Sequence, residues 1–287
     1  MRNIICSAAA KHGHLDCLIW SRNNGYTWNA YTCLNVAKYG HLECLKYAHE
    51  NECEWNQYAC NAAAEFGHLD CLKYMLENEA PYDYEVCAFA GKNGHLECLK
   101  YAHEFGCTTD EQTFSSVAYY GQLECLKYLY SINCDMTSDA YCDAGHNGHL
   151  DCLIWLKSID CEMSGTLCDS ICYNGHLECL KWAVNNGSII NKQTVINCTI
   201  NDNIECLKYL VSINYPISGS ANAAENNSVK CLQYLIDRGY VIDEWTTANV
   251  AKLGFIKCLK ILHPINNEWS KDMCAMAAYD GQLECLI

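Results

Sequence analysis

The chain has 287 residues, with 34 acidic against 19 basic side chains and a formal net charge of −15. That balance excludes sequence-independent binding to nucleic-acid phosphates or to anionic membrane surfaces, both of which need clustered Lys and Arg. No apolar run approaches the length of a membrane span, and Met1 to Ala10 lacks the apolar segment of a signal peptide. The 24 cysteines therefore stand in a long chain with no export signal, where a secreted disulfide framework is not expected.

A six-residue phrase organises the chain. Gly-His-Leu-Glu-Cys-Leu and its variants begin at Gly13, Gly40, Gly67, Gly94, Gly121, Gly148 and Gly175, in steps of 27 residues. The phrase continues in altered form at Asp202, Asn227, Gly254 and Gly281, with one step shortened to 25 residues. A fixed period of this size predicts a solenoid, in which each unit buries its apolar face against its neighbours. One array over residues 1–287 is expected, with about ten complete repeats and a truncated eleventh.

Asn29 to Trp55 illustrates the unit. Asn29 is placed to cap a first helix. Cys33, Val36 and Ala37 then form one apolar stripe at helical spacing. Gly40 breaks that helix as a C-terminal cap, and a second helix starts near His41, carrying Leu42, Leu45 and Tyr47. Asn51-Glu52-Cys53 closes the unit. The predicted repeat is thus helix, tight turn, helix, short loop.

The eleven copies align column by column. In the second helix, Leu15, Leu42, Leu69, Leu96, Leu123, Leu150, Leu177, Ile204, Val229, Ile256 and Leu283 are followed three residues later by Leu in every copy. Both columns are read as core. So is the aromatic column Trp20, Tyr47, Tyr74, Tyr101, Tyr128, Trp155, Trp182, Tyr209 and Tyr234. The first helix keeps small residues in register, from Ala10, Ala37, Ala64 and Gly91 to Cys172, Thr199 and Ala251, which predicts close helix approach. Nine copies place Asp or Glu in the first turn of the second helix, where the helix dipole favours negative charge. Glu43–Lys46 and Glu97–Lys100 represent the ion pairs that follow, a solvated face worth about 0.2–0.5 kcal/mol per pair.

The stretch Ala63-Ala64-Glu65-Phe66-Gly67-His68-Leu69-Asp70-Cys71-Leu72-Lys73-Tyr74-Met75-Leu76 resembles an ankyrin repeat, with Cys71 at a valine position of that pattern. Cys60 sits where the family's Thr-Pro-Leu-His box has leucine, and the box itself is absent. The period falls six residues short of the ankyrin value of about 33. The missing residues belong to the β-hairpin finger. The resemblance implies an all-α, right-handed solenoid of antiparallel helix pairs with vestigial fingers; a TPR- or HEAT-like stack is the competing architecture. The chain also resembles the short, Cys-rich ankyrin-like arrays encoded by giant DNA viruses of amoebae. This implies a viral protein acting on host or viral proteins in a reducing cytoplasm, a protein-binding scaffold rather than an enzyme. No F-box-like recruiting segment is recognisable.

The cysteines and histidines admit a second reading. His14, His41, His68, His95, His149 and His176 each precede a cysteine by three residues, which could form half a zinc site. The cysteine persists in all copies while the histidine is replaced by Gln122, Asn203, Ser228, Phe255 or Gln282, and ligands should vary together. Equivalent thiols on helices about 8–10 Å apart are also too distant to share one ion or a disulfide. The expectation is no metal, no cofactor and cysteine as a small core hydrophobe, with the turn histidine bonding backbone between repeats or capping the helix. Cys53, Cys107, Cys134 and Cys161, in the loops, are expected to be the more exposed thiols. A thiol-rich metal-binding protein remains the alternative from another functional class. No catalytic constellation stands outside the frame.

Recognition is expected where the frame varies at exposed positions. The two residues before each turn glycine include Tyr39, Phe66, Tyr119, Tyr120 and Tyr173, a candidate partner-binding stripe of the composition favoured in interface hot spots. The resemblance places these residues on the concave edge of the first helices. Neither Met1 nor Ile287 adjoins a polar capping repeat, so a longer array or end-to-end self-association, as in a structural assembly module, is a further expectation.

Overall fold

The computed structural model describes residues 4–137, 139–217, 220–265 and 271–286; Met1 and Ile287 lie outside them. Residues 1–140 and 141–287 form two compact units. The described residues are all-helical, with no strand. The fingers that ankyrin repeats carry are reduced to short connections.

In the first unit the helices are α1 (Ile4–Lys11), α2 (Leu15–Asn23), α3 (Ala30–Lys38), α4 (Leu42–Glu50), α5 (Gln57–Glu65), α6 (Leu69–Glu77), α7 (Glu85–Lys92), α8 (Leu96–Phe105), α9 (Glu111–Tyr119) and α10 (Leu123–Ser131). Odd-numbered helices pack on odd, even on even, and each pair on itself. These are stacked helix pairs. α11 (Asp139–His146) leads into the second unit, which holds α12 (Leu150–Ser158), α13 (Leu167–Asn174), α14 (Leu177–Asn185), α15 (Lys192–Ile200), α16 (Ile204–Ser212), α17 (Ser220–Glu225), α18 (Val229–Asp237), α19 (Glu244–Lys252), α20 (Ile256–Leu262) and α21 (Lys271–Tyr279), then a 3-10 turn at Leu283–Cys285. The same pattern recurs there: α13, α15, α17, α19 and α21 stack in one row and α12, α14, α16, α18 and α20 in the other.

Local chemistry explains the boundaries of the unit that holds α3 and α4. The Asn29 side chain accepts the Tyr31 N–H at 3.2 Å and starts α3. The helix ends in a paired closure: Gly40 N–H donates to Ala37 O at 3.3 Å and His41 N–H to Val36 O at 2.9 Å, with Gly40 at φ +74°. The second helix closes the same way, through Cys53 N–H to Ala48 O at 2.9 Å, but with Glu52 at φ +65°.

The core follows the columns with two corrections. Leu18, Leu45, Leu72, Leu99, Leu126, Leu153, Leu180, Leu207, Leu232 and Leu259 are buried, as are the small residues Ala10, Ala37, Ala64 and Ala118. At Gly91 an added Cβ would lie 2.7 Å from Val117 Cγ2, so the next first helix leaves no room there. The earlier aliphatic column, from Leu15 to Ile256, is only half-buried, because it lies at the helix entry beside the turn, and Leu283 and Leu286 are exposed. The aromatic column is not core either. Trp20 is exposed and Tyr47, Tyr74, Tyr101 and Tyr128 are half-buried. A tyrosine hydroxyl needs a polar partner: Tyr74 Oη lies 3.0 Å from His49 Nδ1 and Tyr101 donates to Glu77 at 2.9 Å.

Candidate functional site

Three features could carry function: the turn between paired helices, the exposed edge of the first helices, and the thiols.

At the turn, the histidine reaches back one repeat. His68 Nε2–H donates to Lys38 O at 3.0 Å, His95 to Glu65 O at 3.0 Å and His176 to His146 O at 3.0 Å. Each satisfies a carbonyl at the end of the preceding repeat's first helix, which would otherwise lack an intrahelical donor. None makes a side-chain capping bond to its own helix. Nε2 is thus occupied by backbone, and among the described residues the rings are not gathered into a site.

The edge places every predicted aromatic in solvent. Tyr39, Phe66, Tyr119 and Tyr120, in the first unit, and Tyr173, in the second, are all exposed. They occupy two adjacent columns rather than one. Tyr39, Phe66 and Tyr120 directly precede the glycine; Tyr119 and Tyr173 stand one residue earlier. Lys38 links the first two, with its ammonium 6.0 Å from the Tyr39 ring and 4.9 Å from the Phe66 ring. Tyr119 and Tyr120 meet edge to face at 5.3 Å. Tyr173 stacks on His146 at 5.8 Å. Lys92 and Asn93 separate Phe66 from the tyrosine pair, and Lys92 lies over Phe89 at 4.0 Å.

Sequence reasoning did not find the depression beside Phe66. It has a volume of about 270 Å³ and is lined by Leu34, Lys38, Tyr58, Asn61, Ala62, Glu65, Phe66, Glu85 and Phe89, on α3, α5 and α7. Asn61 is buried, donates to Glu85 at 3.1 Å, and keeps an unpartnered Oδ1. The signal was present in Tyr31 and Tyr58, aromatics in one column of successive first helices that no core stripe requires.

The thiols overturn one expectation and add a finding. Cys53, Cys107 and Cys134 are buried, not exposed, and Cys161 is half-buried. The paired closure folds the residue after the turn back over the helix: Cys53 S–H donates to Asn29 O at 3.5 Å, and Cys33 S–H to Cys53 O at 3.7 Å. The exposed thiols are Cys17 and Cys274. Burial pushes Cys60 and Cys71 up to about 12, and Cys98 and Cys125 up to about 11. Column-mates on successive second helices do not gather, but three cysteines from different columns do. The sulphurs of Cys172, Cys198 and Cys206 lie within 4.8 Å of one another, all fully buried. Among the described residues this is the one group of three or more His, Cys, Asp or Glu side chains arranged to hold a metal ion.

Residues 33–76 and 168–211 match the family model described as ankyrin repeats (many copies). The chain thus carries ankyrin-like repeats in two segments. Its matched segments lie one in each unit, and the remaining helix pairs continue the same frame. No curated protein sequence matches it. Among solved structures, the human ASB11 ankyrin repeat domain is similar to it at 17% identity and a TM-score of 0.48, over 53% of this chain and 82% of that one. Among the described residues no helix is long and apolar enough to cross a membrane.

Proposed function

We propose that this ankyrin-like protein is a non-enzymatic scaffold that binds a protein partner through the edge of its first helices, an interaction that needs no nucleic acid, membrane or cofactor. The observation that carries the reading is the exposure of Tyr39, Phe66, Tyr119, Tyr120 and Tyr173 at positions the repeat frame does not use for packing. Large aromatics left in water at a variable position contribute little to folding and much to an interface that desolvates them. The depression between α3, α5 and α7 supplies a recess beside Phe66 and Lys38 in which an anchor side chain could sit. The common frame supports a single array over 1–287, and the resemblance to giant-virus arrays supports a viral protein acting on host or viral proteins in the host cytoplasm.

The test changes Phe66, Tyr119, Tyr120 and Tyr173 together to Ser. A partner captured by the parent from infected-cell lysate is expected to be lost while the melting temperature stays within a few degrees. Unfolding of the variant assigns those rings to the core. Retained capture with an intact fold moves the interface elsewhere, to the loops around Glu52, Glu79 and Gly106.

A further inference from the structure

Within the frame, cysteine at two positions is an exception. The small-residue column of the first helix reads Ala, Gly or Thr in every copy but one, where it is Cys172. The column one residue earlier reads Ala, Val or Ile in every copy but one, where it is Cys198. These exceptions fall in consecutive repeats, on α13 and α15, which pack together. Their sulphurs converge on Cys206, the thiol that α16 carries as every second helix does, within 4.8 Å of one another. Shape does not demand them, since alanine and valine serve elsewhere.

We propose that Cys172, Cys198 and Cys206 form a closed three-sulphur site for a soft monovalent cation, cuprous copper. Thiolate sulphur selects soft ions. Zinc in closed sites takes four ligands in a tetrahedron, and only three sulphurs converge here. A monovalent ion held by two thiolates and one thiol leaves a single net charge in the interior, shared by three polarisable sulphurs, which limits the burial penalty. Loading is ligand exchange without redox chemistry. The cuprous ion, delivered as a bis-complex with a small-molecule thiol, leaves two carrier thiolates for two cysteine sulphurs, and the two S–H protons pass to the departing thiolates. Entry requires local opening. α15, which carries Cys198, packs against α17, whose six residues make it the shortest α-helix among those described.

The experiment uses the full chain, reduced and metal-free, with Cys17, Cys142, Cys161 and Cys274 changed to Ser to remove the exposed and half-buried thiols. It is loaded anaerobically with cuprous ion and challenged with a copper(I) chelator. One ion per chain is expected to survive, with only sulphur neighbours in its X-ray absorption spectrum. Cys172→Ala and Cys198→Ala place in each position a residue the frame uses in other copies. Each is expected to lower retained copper more than tenfold with unchanged far-ultraviolet circular dichroism. Cys98→Ala, the counterpart of Cys206 in another repeat, is expected to retain it. The proposal is overturned if the parent retains no copper, if Cys172→Ala and Cys198→Ala retain as much as the parent, if Cys98→Ala loses it equally, or if zinc survives the same challenge in place of copper.

Discussion

The turn at Gly40 and the turn at Asp202 solve one problem with different residues. At Gly40 the next repeat's His68 lies flat over the backbone, and an added Cβ would come within 2.7 Å of its ring Cε1. Glycine is needed there for its φ of +74° and also for the space. At Asp202 the backbone has φ +55°, so the conformation is the same, yet a side chain is tolerated. The next repeat there supplies Ser228, whose short hydroxyl donates to Ile200 O at 3.1 Å and leaves the space open. Asp202 uses it to accept the Cys231 N–H at 2.9 Å, bonding the first turn of α18. The lesson is that the turn glycine and the next repeat's histidine are one unit of packing. At Asp202, where serine replaces the histidine, the glycine is free to change, whereas Asn227 stands at φ +57° before a repeat that carries Phe255 in place of the histidine. Gly175 with Asn203 is intermediate: the amide donates to Cys172 O at 2.8 Å and Tyr173 O at 2.9 Å, and glycine is kept.

What the two regions share is the buried thiol column, and it gives the largest expected effect. A free thiol in the unfolded chain titrates near 9.0, while burial holds Cys98 and Cys125 near about 11 and Cys71 near about 12. Between those limits the native state holds protons that the unfolded state has released. Stability is therefore full below pH 9 and falls as pH rises toward 11–12. The melting temperature should drop by more than about 10 °C between pH 9 and pH 11. Changing Cys71, Cys98 and Cys125 together to Val should make the drop shallower; an equal drop would assign it to other groups.

The next effect separates the two turns. Gly40→Ala puts a Cβ into a left-handed conformation and against His68, and should cost about 2–4 kcal/mol in urea unfolding. Asp202→Ala keeps the backbone and loses one hydrogen bond, about 0.5–1.5 kcal/mol. Similar losses at both would mean that space at the turn does not matter. Overpacking the small column tests the stack itself: Ala64→Leu should cost about 1–3 kcal/mol. The smallest effect is at the solvated face. Lys100 and Glu97 pair at 2.8 Å with Glu97 exposed and Lys100 half-buried, so Lys100→Ala should change stability by less than about 0.5 kcal/mol.

The helix pairs, the positive-φ turn at Gly40 and the leucines from Leu18 to Leu259 were legible because they follow from periodicity, which a sequence displays directly. The stripe aromatics were legible as exposed because no packing column includes them. Tyr47 and Trp20 were misread as core, since register with a leucine says nothing about where the far end of a long ring lies. Cys53 and Cys107 were misread as exposed, because a loop position hides the way the closing hydrogen bonds turn it inward. The Cys172–Cys198–Cys206 cluster was invisible to a column-by-column comparison. It joins three different columns across two repeats, and only the packing of α13, α15 and α16 brings them together.

The coupling of each turn glycine to the following histidine is the claim on which the reading of the array rests, and a double-mutant cycle measures it. Gly40→Ala, His68→Ser and the double variant would be compared by urea unfolding. Serine at 68 removes the ring that the new methyl would strike, so the double variant should be more stable than the sum of the single losses predicts, by at least about 1 kcal/mol. Additive losses would show that the glycine and the histidine act independently and would contradict the account.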